Sequence, residues 1–260
     1  MSFYRNKKTA ITGGAGFLGR RLAKELLMKG AEVRAIDIAP EPENLPQQVE
    51  YLQADLSQPE AAEQAFTGAD YVFHLAAVGW GFHENLKRQP EILTRNLQLN
   101  TAVLDAAYSA GVKGYLFSGS AAVYPPDLEV MREDAPWDAE PHGSEKYYAW
   151  SKRIGEIQCR AYHEHYGMPI AIVRLFNPYG TEDNFDPDKS HVIPALIRRA
   201  LSGEEPFTVW GTGRPVRSFI YADDAVRGML LALEKASDCR PVNLSSPEAV
   251  SIAELVKLVL

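Results

Sequence analysis

Short apolar runs alternate along the chain with segments in which apolar residues recur every three or four positions. The runs at Thr9–Thr12, Val33–Asp37, Glu50–Gln53, Tyr71–His74, Tyr115–Ser118 and Ile170–Leu175 predict strands. Helical spacing predicts helices over Phe17–Lys29, where Leu18, Leu22, Leu26 and Leu27 share a side and Gly30 ends the pattern, and over Pro59–Phe66, Glu91–Ala110 and Lys146–Tyr166. The strands read as almost unbroken apolar runs, which is the pattern of strands covered on both faces. Together these elements predict an α/β fold built on a doubly wound parallel sheet, with ligands at the carboxyl ends of the strands. After residue 176 Pro and Gly become frequent and helices are broken by loops. This predicts a larger domain over 1–175 and a smaller lobe over 176–260, interleaved with it. The final segment Ser251–Leu260 is apolar and helical in pattern, so the lobe is expected to continue past Leu260.

The junction of the first strand and first helix carries Thr12-Gly13-Gly14-Ala15-Gly16-Phe17-Leu18-Gly19. Gly13 suits a tight turn, Gly16 lets backbone approach a pyrophosphate, and Gly19 allows close packing of helix on strand. Free N–H groups from Gly16 through Phe17 and Leu18, with the positive helix end, then meet the phosphates. At this position the pattern predicts a Rossmann dinucleotide site. Asp37 ends the second strand, where a carboxylate accepts the adenosine ribose hydroxyls. A 2′-phosphate there meets a like charge, a repulsion of roughly 4 kcal/mol at about 4 Å and an effective dielectric near 20, so NAD is expected over NADP. Asp55 and Leu56, after the third strand, are placed to reach the adenine, although Asp55 also suits a helix-capping turn. His74-Leu75-Ala76-Ala77 follows the fourth strand: small residues here let a dinucleotide lie against the backbone, while His74 reads as a packed core histidine.

Composition narrows the class. The 260 residues are 46% apolar and 23% charged, as in an ordinary globular protein with a sizeable core. The net charge of -7 disfavours nucleic acid and anionic membranes, which need clustered Lys and Arg. Cys159 and Cys239 lack CxxC partners and read as reduced thiols. With no apolar run near the roughly 18 residues a membrane span needs, and no signal-peptide pattern, a cytoplasmic protein is expected. No metal is expected.

Tyr148 and Lys152 lie four apart on a predicted helix, hence on one face. A tyrosine titrates near pH 10, too high for a base at neutral pH. A neighbouring ammonium and an oxidised nicotinamide both favour the phenolate. Lys152 can also hold the nicotinamide ribose. The fifth strand ends in Ser118-Gly119-Ser120, and the Ser120 hydroxyl completes a trio that can handle a reacting oxygen; Ser118 is the competing hydroxyl and a cofactor contact. The trio predicts oxidation or reduction of an alcohol.

With these motifs the chain resembles the extended short-chain dehydrogenase/reductase family, in particular its NAD-dependent nucleotide-sugar epimerases and dehydratases such as UDP-glucose 4-epimerase. The resemblance spans TGGAGFLG, Asp37, HLAA, SGSAAVYP, YYAWSK, RLFNPYG and RSFIYADD. It implies NAD, a nucleoside-diphosphate sugar as substrate, and a homodimer through the two long helices. It further implies that Asn177 contacts the substrate diphosphate, that Phe176 and Pro178 pack near the nicotinamide, and that Arg217 clamps the diphosphate, unless it is tied up by Asp223 or Asp224. Val192, Val209 and Trp210 are candidates for the nucleobase pocket or for ordinary core. The loop Gly79-Trp80-Gly81-Phe82-His83 is a candidate roof for the sugar. Dehydratases and decarboxylases of the family carry acids after the serine, where this chain has Ala121 and Ala122, so dehydration and decarboxylation are not expected.

Glu182–Phe185, Ser190–Leu196 and Val209–Gly213 are similar to GDP-L-fucose synthases, in which a Cys and a His move protons at ring carbons. His191 matches the His; Ala122 replaces the Cys. What remains is inversion at C4 through a transient ketone, which needs only Ser120, Tyr148, Lys152 and NAD. A 4-keto-sugar-nucleotide reductase is the alternative. A non-catalytic NAD sensor is disfavoured by the intact trio, and a dehydrogenase of small alcohols or steroids by Asn177 and Arg217.

Overall fold

A computed structural model describes the chain apart from Met1, Trp80, Gly81, Asp127, Pro136, Asp138, His142, Asp188, Lys189 and Trp210, and apart from the side chains of Phe82, His83 and Ser144. In chain order the first half runs β1 (Lys8–Thr12), α1 (Phe17–Met28), β2 (Glu32–Asp37), β3 (Glu50–Gln53), α2 (Pro59–Ala65), β4 (Tyr71–His74), α3 (Phe82–Lys87), α4 (Gln89–Ser109) and β5 (Gly114–Ser120). Then follow α5 (Lys146–Tyr166), β6 (Ile170–Leu175), β7 (Pro178–Tyr179), α6 (Val192–Leu201), β8 (Val216–Ser218), β9 (Ile220–Tyr221), α7 (Ala222–Lys235), β10 (Asp238–Leu244), β11 (Ala249–Ser251) and α8 (Ile252–Val259).

Seven parallel strands form the main sheet in the order β3-β2-β1-β4-β5-β6-β10. Successive strand residues face opposite ways, and both faces are buried. Ala10, Val72, Tyr115, Phe117, Ile170 and Ile172 pack with Phe66, Val103 and Cys159 from the side of α2, α4 and α5. Their neighbours Ile11, Phe73, Leu116, Ala171 and Val173 pack with Leu22 and Leu26 of α1 and Met229, Leu230 and Leu233 of α7. That is why the strands read as continuous apolar runs. The chain moves outward from β1 to β3, then returns to place β4 on the other side of β1. The crevice at this reversal is where such sheets take their ligands.

Residues 176–260 do two jobs. α6, α8 and the antiparallel pair β8–β11 close a separate small core around Leu196, Phe219, Leu255 and Val256. Ser251 caps α8 through a reciprocal bond with Glu254. Between these pieces, α7 and β10 return to the main sheet. The apolar pattern misses β10 for a physical reason. It is an edge strand containing Pro241, with an irregularity between Asp238 and Pro241 and with Cys239 in the left-handed region at φ 61°. Cys159 and Cys239 are buried and free. Among the described residues no helix is long and apolar enough to cross a membrane.

Candidate active site

The glycine loop crosses the carboxyl edge of β1 in van der Waals contact with its surroundings. Gly13 has φ 71°, and a Cβ there would sit 2.9 Å from the Ala76 amide nitrogen. A Cβ on Gly19 would lie 2.2 Å from the Gly13 carbonyl oxygen. Gly16 stands at the N-cap of α1, whose first turn holds no acidic residue and no side-chain cap. Its amides therefore remain available to an anion. Asp37 closes the loop from β2: its Oδ2 accepts from the Ala15 amide at 3.1 Å and its Oδ1 from the Ala39 amide at 3.1 Å. Each oxygen keeps a lone pair for a ribose hydroxyl. These features fit a dinucleotide: a backbone cradle a Cβ would fill, an open positive helix end, and an anchored acceptor.

Behind the loop, Thr12 Oγ1 lies 2.7 Å from His74 Nδ1 and accepts from the Ala76 amide at 3.1 Å. His74 Nε2 meets Asn100 Oδ1 at 3.0 Å. Burial first, then the charge of Lys152, brings the His74 imidazole down to about 3, so it is neutral. It is a packing residue that fixes the segment Leu75–Ala77 beside Gly13. Asp55 is exposed, and its Oδ1 accepts from the Ser57 amide at 3.0 Å and hydroxyl at 2.7 Å. Leu56 is a core residue. The cap of α2 is Gln58, so Asp55 builds a local turn ahead of the helix without capping it.

Ser120 ends β5 and Tyr148 lies in the first turn of α5, with Lys152 one turn further on. The Ser120 hydroxyl faces that of Tyr148 and favours its ionised form. Ser120 Oγ also accepts from the Ala122 amide at 3.1 Å, which orients it. Lys152 is buried; its Nζ donates to the Ser118 carbonyl at 2.7 Å and stands 5.7 Å from the centre of the Tyr148 ring. Desolvation brings this ammonium down to about 8, against the opposing charge of Glu156. Ser118 thus contributes its carbonyl, and its position behind Lys152 leaves Ser120 as the hydroxyl paired with Tyr148. Tyr147 is exposed.

Lys152 and an oxidised nicotinamide together are expected to draw Tyr148 toward its phenolate. In the free chain burial, and then the charge of Glu145, hold the hydroxyl well above the ordinary tyrosine range, with Ser120 opposing. Lys152 gives one of its three N–H groups to the Ser118 carbonyl.

On the lobe side Asn177 is left-handed at φ 40°, and its Nδ2 donates to the Ser218 carbonyl at 2.8 Å. Phe176 is buried against Val123 and Tyr124, and Pro178 starts β7. Arg217 is exposed and gives Nη1 to the Val216 carbonyl at 2.9 Å. Asp223 pairs with Arg21 and Asp224 with Arg227, so neither carboxylate occupies Arg217. His191 is the N-cap of α6 and faces Asp183; Val192 is exposed at the first position of that helix, while Val209 packs in the lobe core. Trp80, Gly81 and Trp210, and the side chains of Phe82 and His83, lie outside the described residues. Arg174 buttresses the fold through a buried bidentate pair with Glu156 at 2.9 and 2.7 Å.

Sequence reasoning gave no role to three acidic residues. Glu145 acts electrostatically on both Tyr148 and His191. Asp183 is buried beside His191. Glu182, left-handed at φ 68°, ties α1 to the lobe through Lys24 at 2.9 Å and Arg20 at 3.7 Å. The acid-rich stretch Glu182-Asp183-Asn184 was the visible signal, but the cationic partners sit about 160 residues earlier in the chain.

Comparison with known proteins agrees with this geometry. A GDP-L-fucose synthase of Arabidopsis thaliana is 32% identical over 98% of this chain and 77% of its own length. A dTDP-4-dehydro-6-deoxy-D-allose reductase of Streptomyces bikiniensis is 30% identical over 99% of this chain and 81% of its own. The structure of UDP-glucose 4-epimerase from Thermotoga maritima superposes with a TM-score of 0.86 at 27% identity, covering 97% of this chain and 81% of that one. The profile of the NAD dependent epimerase/dehydratase family matches residues 9–245, nearly the whole chain, and the chain belongs to that family.

Proposed function

We propose that the chain is a nucleotide-sugar epimerase that inverts C4 through a transient 4-keto sugar, with Ser120, Tyr148 and Lys152 as its catalytic group. The observation that carries this reading is the Ser120 hydroxyl facing that of Tyr148, followed in the chain by Ala121 and Ala122, which can move no proton. The bound dinucleotide supplies reversible hydride acceptance at C4 and a positive ring charge near Tyr148. Gly13, Gly16, Phe17, Leu18, Gly19, Asp37, Leu75, Ala76 and Ala77 hold it, with Ser118, Phe176 and Pro178 at the nicotinamide end. Tyr148 takes the proton of the C4 hydroxyl as the ketone forms and returns it as the alcohol re-forms. In the free chain this hydroxyl stays protonated; with the positive dinucleotide ring bound it would release that proton to solvent and only then serve as the base. Ser120 turns its proton from Tyr148 to the sugar oxygen. Lys152, fixed on Ser118, donates to a ribose hydroxyl. Arg217, carrying no carboxylate, takes the diphosphate with its fork; Asn177 spends one amide proton on Ser218 and keeps the other for the same group. Val192 borders the base.

A 4-keto-sugar-nucleotide reductase is the second reading, favoured by the 32% and 30% identities to a GDP-L-fucose synthase and a dehydro-sugar reductase. Purified protein with NAD and a panel of UDP-, GDP-, CDP- and dTDP-sugars, followed by NMR at the sugar C4, separates the two. C4 inversion without net NADH is expected. Consumption of NADH with a 4-keto sugar, and no inversion, establishes the reductase instead.

A further inference from the structure

Asp183 is buried to 7% exposure in a turn closed by a bond from its amide to the Gly180 carbonyl. Its Oδ1 accepts from the Asn184 amide at 2.7 Å and lies 3.4 Å from His191 Nδ1. Its Oδ2 is buried without a partner. A buried carboxylate is costly unless a cation accompanies it, and His191 is the group that stands beside it. The preceding Glu182 faces outward to Lys24 and Arg20, so the segment is anchored from α1 while Asp183 turns inward. With Nδ1 toward Asp183, ring geometry puts Nε2 on the opposite edge, and the His191 side chain is 67% exposed. Glu145, the N-cap of the helix that carries Tyr148, acts on both His191 and Tyr148.

We infer that Asp183 is a positioning residue: its carboxylate anchors the Nδ1–H of His191, so that Nε2 carries the exchangeable proton and donates it to an oxygen of the bound nucleotide sugar. The donation rests on the nucleotide-sugar reading; the anchoring does not. The charged groups facing the imidazole among the described residues are Asp183 and Glu145. Both favour the cation, the bond to Asp183 most, and hold the ring above the ordinary histidine range. Above its midpoint the ring keeps the Nδ1–H that Asp183 holds and loses the proton from Nε2.

Ring nitrogen NMR of the intact protein reads this directly. At high pH the wild type should show His191 as the Nδ1–H tautomer. In Asp183→Asn the midpoint should fall by about one pH unit, a tenfold change in proton affinity, and the tautomer should shift toward Nε2–H; Asp183→Glu should partly restore both. An Nε2–H tautomer in the wild type, which needs no variant to observe, overturns the anchoring, as does an unchanged ring in Asp183→Asn. Calorimetric titration with UDP-glucose and GDP-mannose tests the donation. Affinity should fall severalfold as pH rises through the wild-type midpoint, and at lower pH in Asp183→Asn. A pH-independent affinity overturns the donation. Absence of binding by either sugar nucleotide at every pH overturns the donation together with the reading it rests on, while the ring titration still decides the anchoring.

Discussion

At the scale of single residues, the hydroxyl of Tyr148 and the ring of His74 show how burial sets function and stability. Tyr148 is held protonated by burial and by Glu145; removing its oxygen removes the phenolic group that faces Ser120. Tyr148→Phe should therefore lower kcat by about 100-fold or more, the range of a lost acid–base group, while the melting temperature stays near wild type; single-turnover assay and calorimetry check both. His74 is buried neutral, brought down to about 3, whereas in the unfolded chain it titrates near its ordinary value of 6.5. Between those two values the unfolded state binds a proton that the folded state refuses. Stability is thus full above about pH 6.5 and falls as pH drops toward 3, by up to about 1.4 kcal/mol per pH unit from this residue. Denaturant unfolding at pH 7, 6 and 5 should show that slope, and it should flatten in His74→Gln.

At the scale of elements, the glycine loop, α1 and β1 act as one unit. A Cβ on Gly19 would overlap the Gly13 carbonyl at 2.2 Å, and the collision is with backbone that cannot step aside alone. Gly19→Ala should weaken NAD binding at least about tenfold, roughly 1.4 kcal/mol, measured by calorimetry with NAD. This much was legible from sequence because the loop is local: eight consecutive residues encode the turn, the anion cradle and the helix start. The β strands were legible because burial on both faces writes itself as unbroken apolar runs, as at Tyr115–Phe117. β10 was not, since an edge strand with Pro241 and a left-handed Cys239 has no such run. The fate of Tyr148 was only half legible. Spacing put Lys152 on its face of α5, but no spacing says that burial and Glu145 would hold the phenol protonated beside it.

At the scale of the whole molecule, residues distant in sequence decide how the two parts meet. Arg20, Arg21 and Lys24 of α1 hold Thr181, Glu182 and Asp223, so the dinucleotide-binding helix is strapped to the segment that leads into the lobe. Such pairings are invisible to periodicity, which is why the change of texture after residue 176 shows in the sequence but the strap across it does not. α4 and α5 pack against each other. The two helices are joined by Gln158 to Thr101 at 2.7 Å and by Tyr162 to Asp105 at 2.8 Å, and beside these bonds Tyr108 is 40% and Tyr166 54% exposed. The exposed Ala161 lies one turn from Gln158 on the same side of α5. A second copy packing on this face, which the family resemblance implies, would leave room at such a position for a small side chain and none for a long charged one. On a monomer the same substitution, at an exposed helical site, changes stability by no more than about 0.5 kcal/mol. Ala161→Arg should therefore halve the mass seen by light scattering while the melting temperature of the separated chain, and its affinity for NAD, remain measurable. An unchanged mass in Ala161→Arg, or a wild type already at 28.8 kDa, would place the dimer elsewhere or remove it.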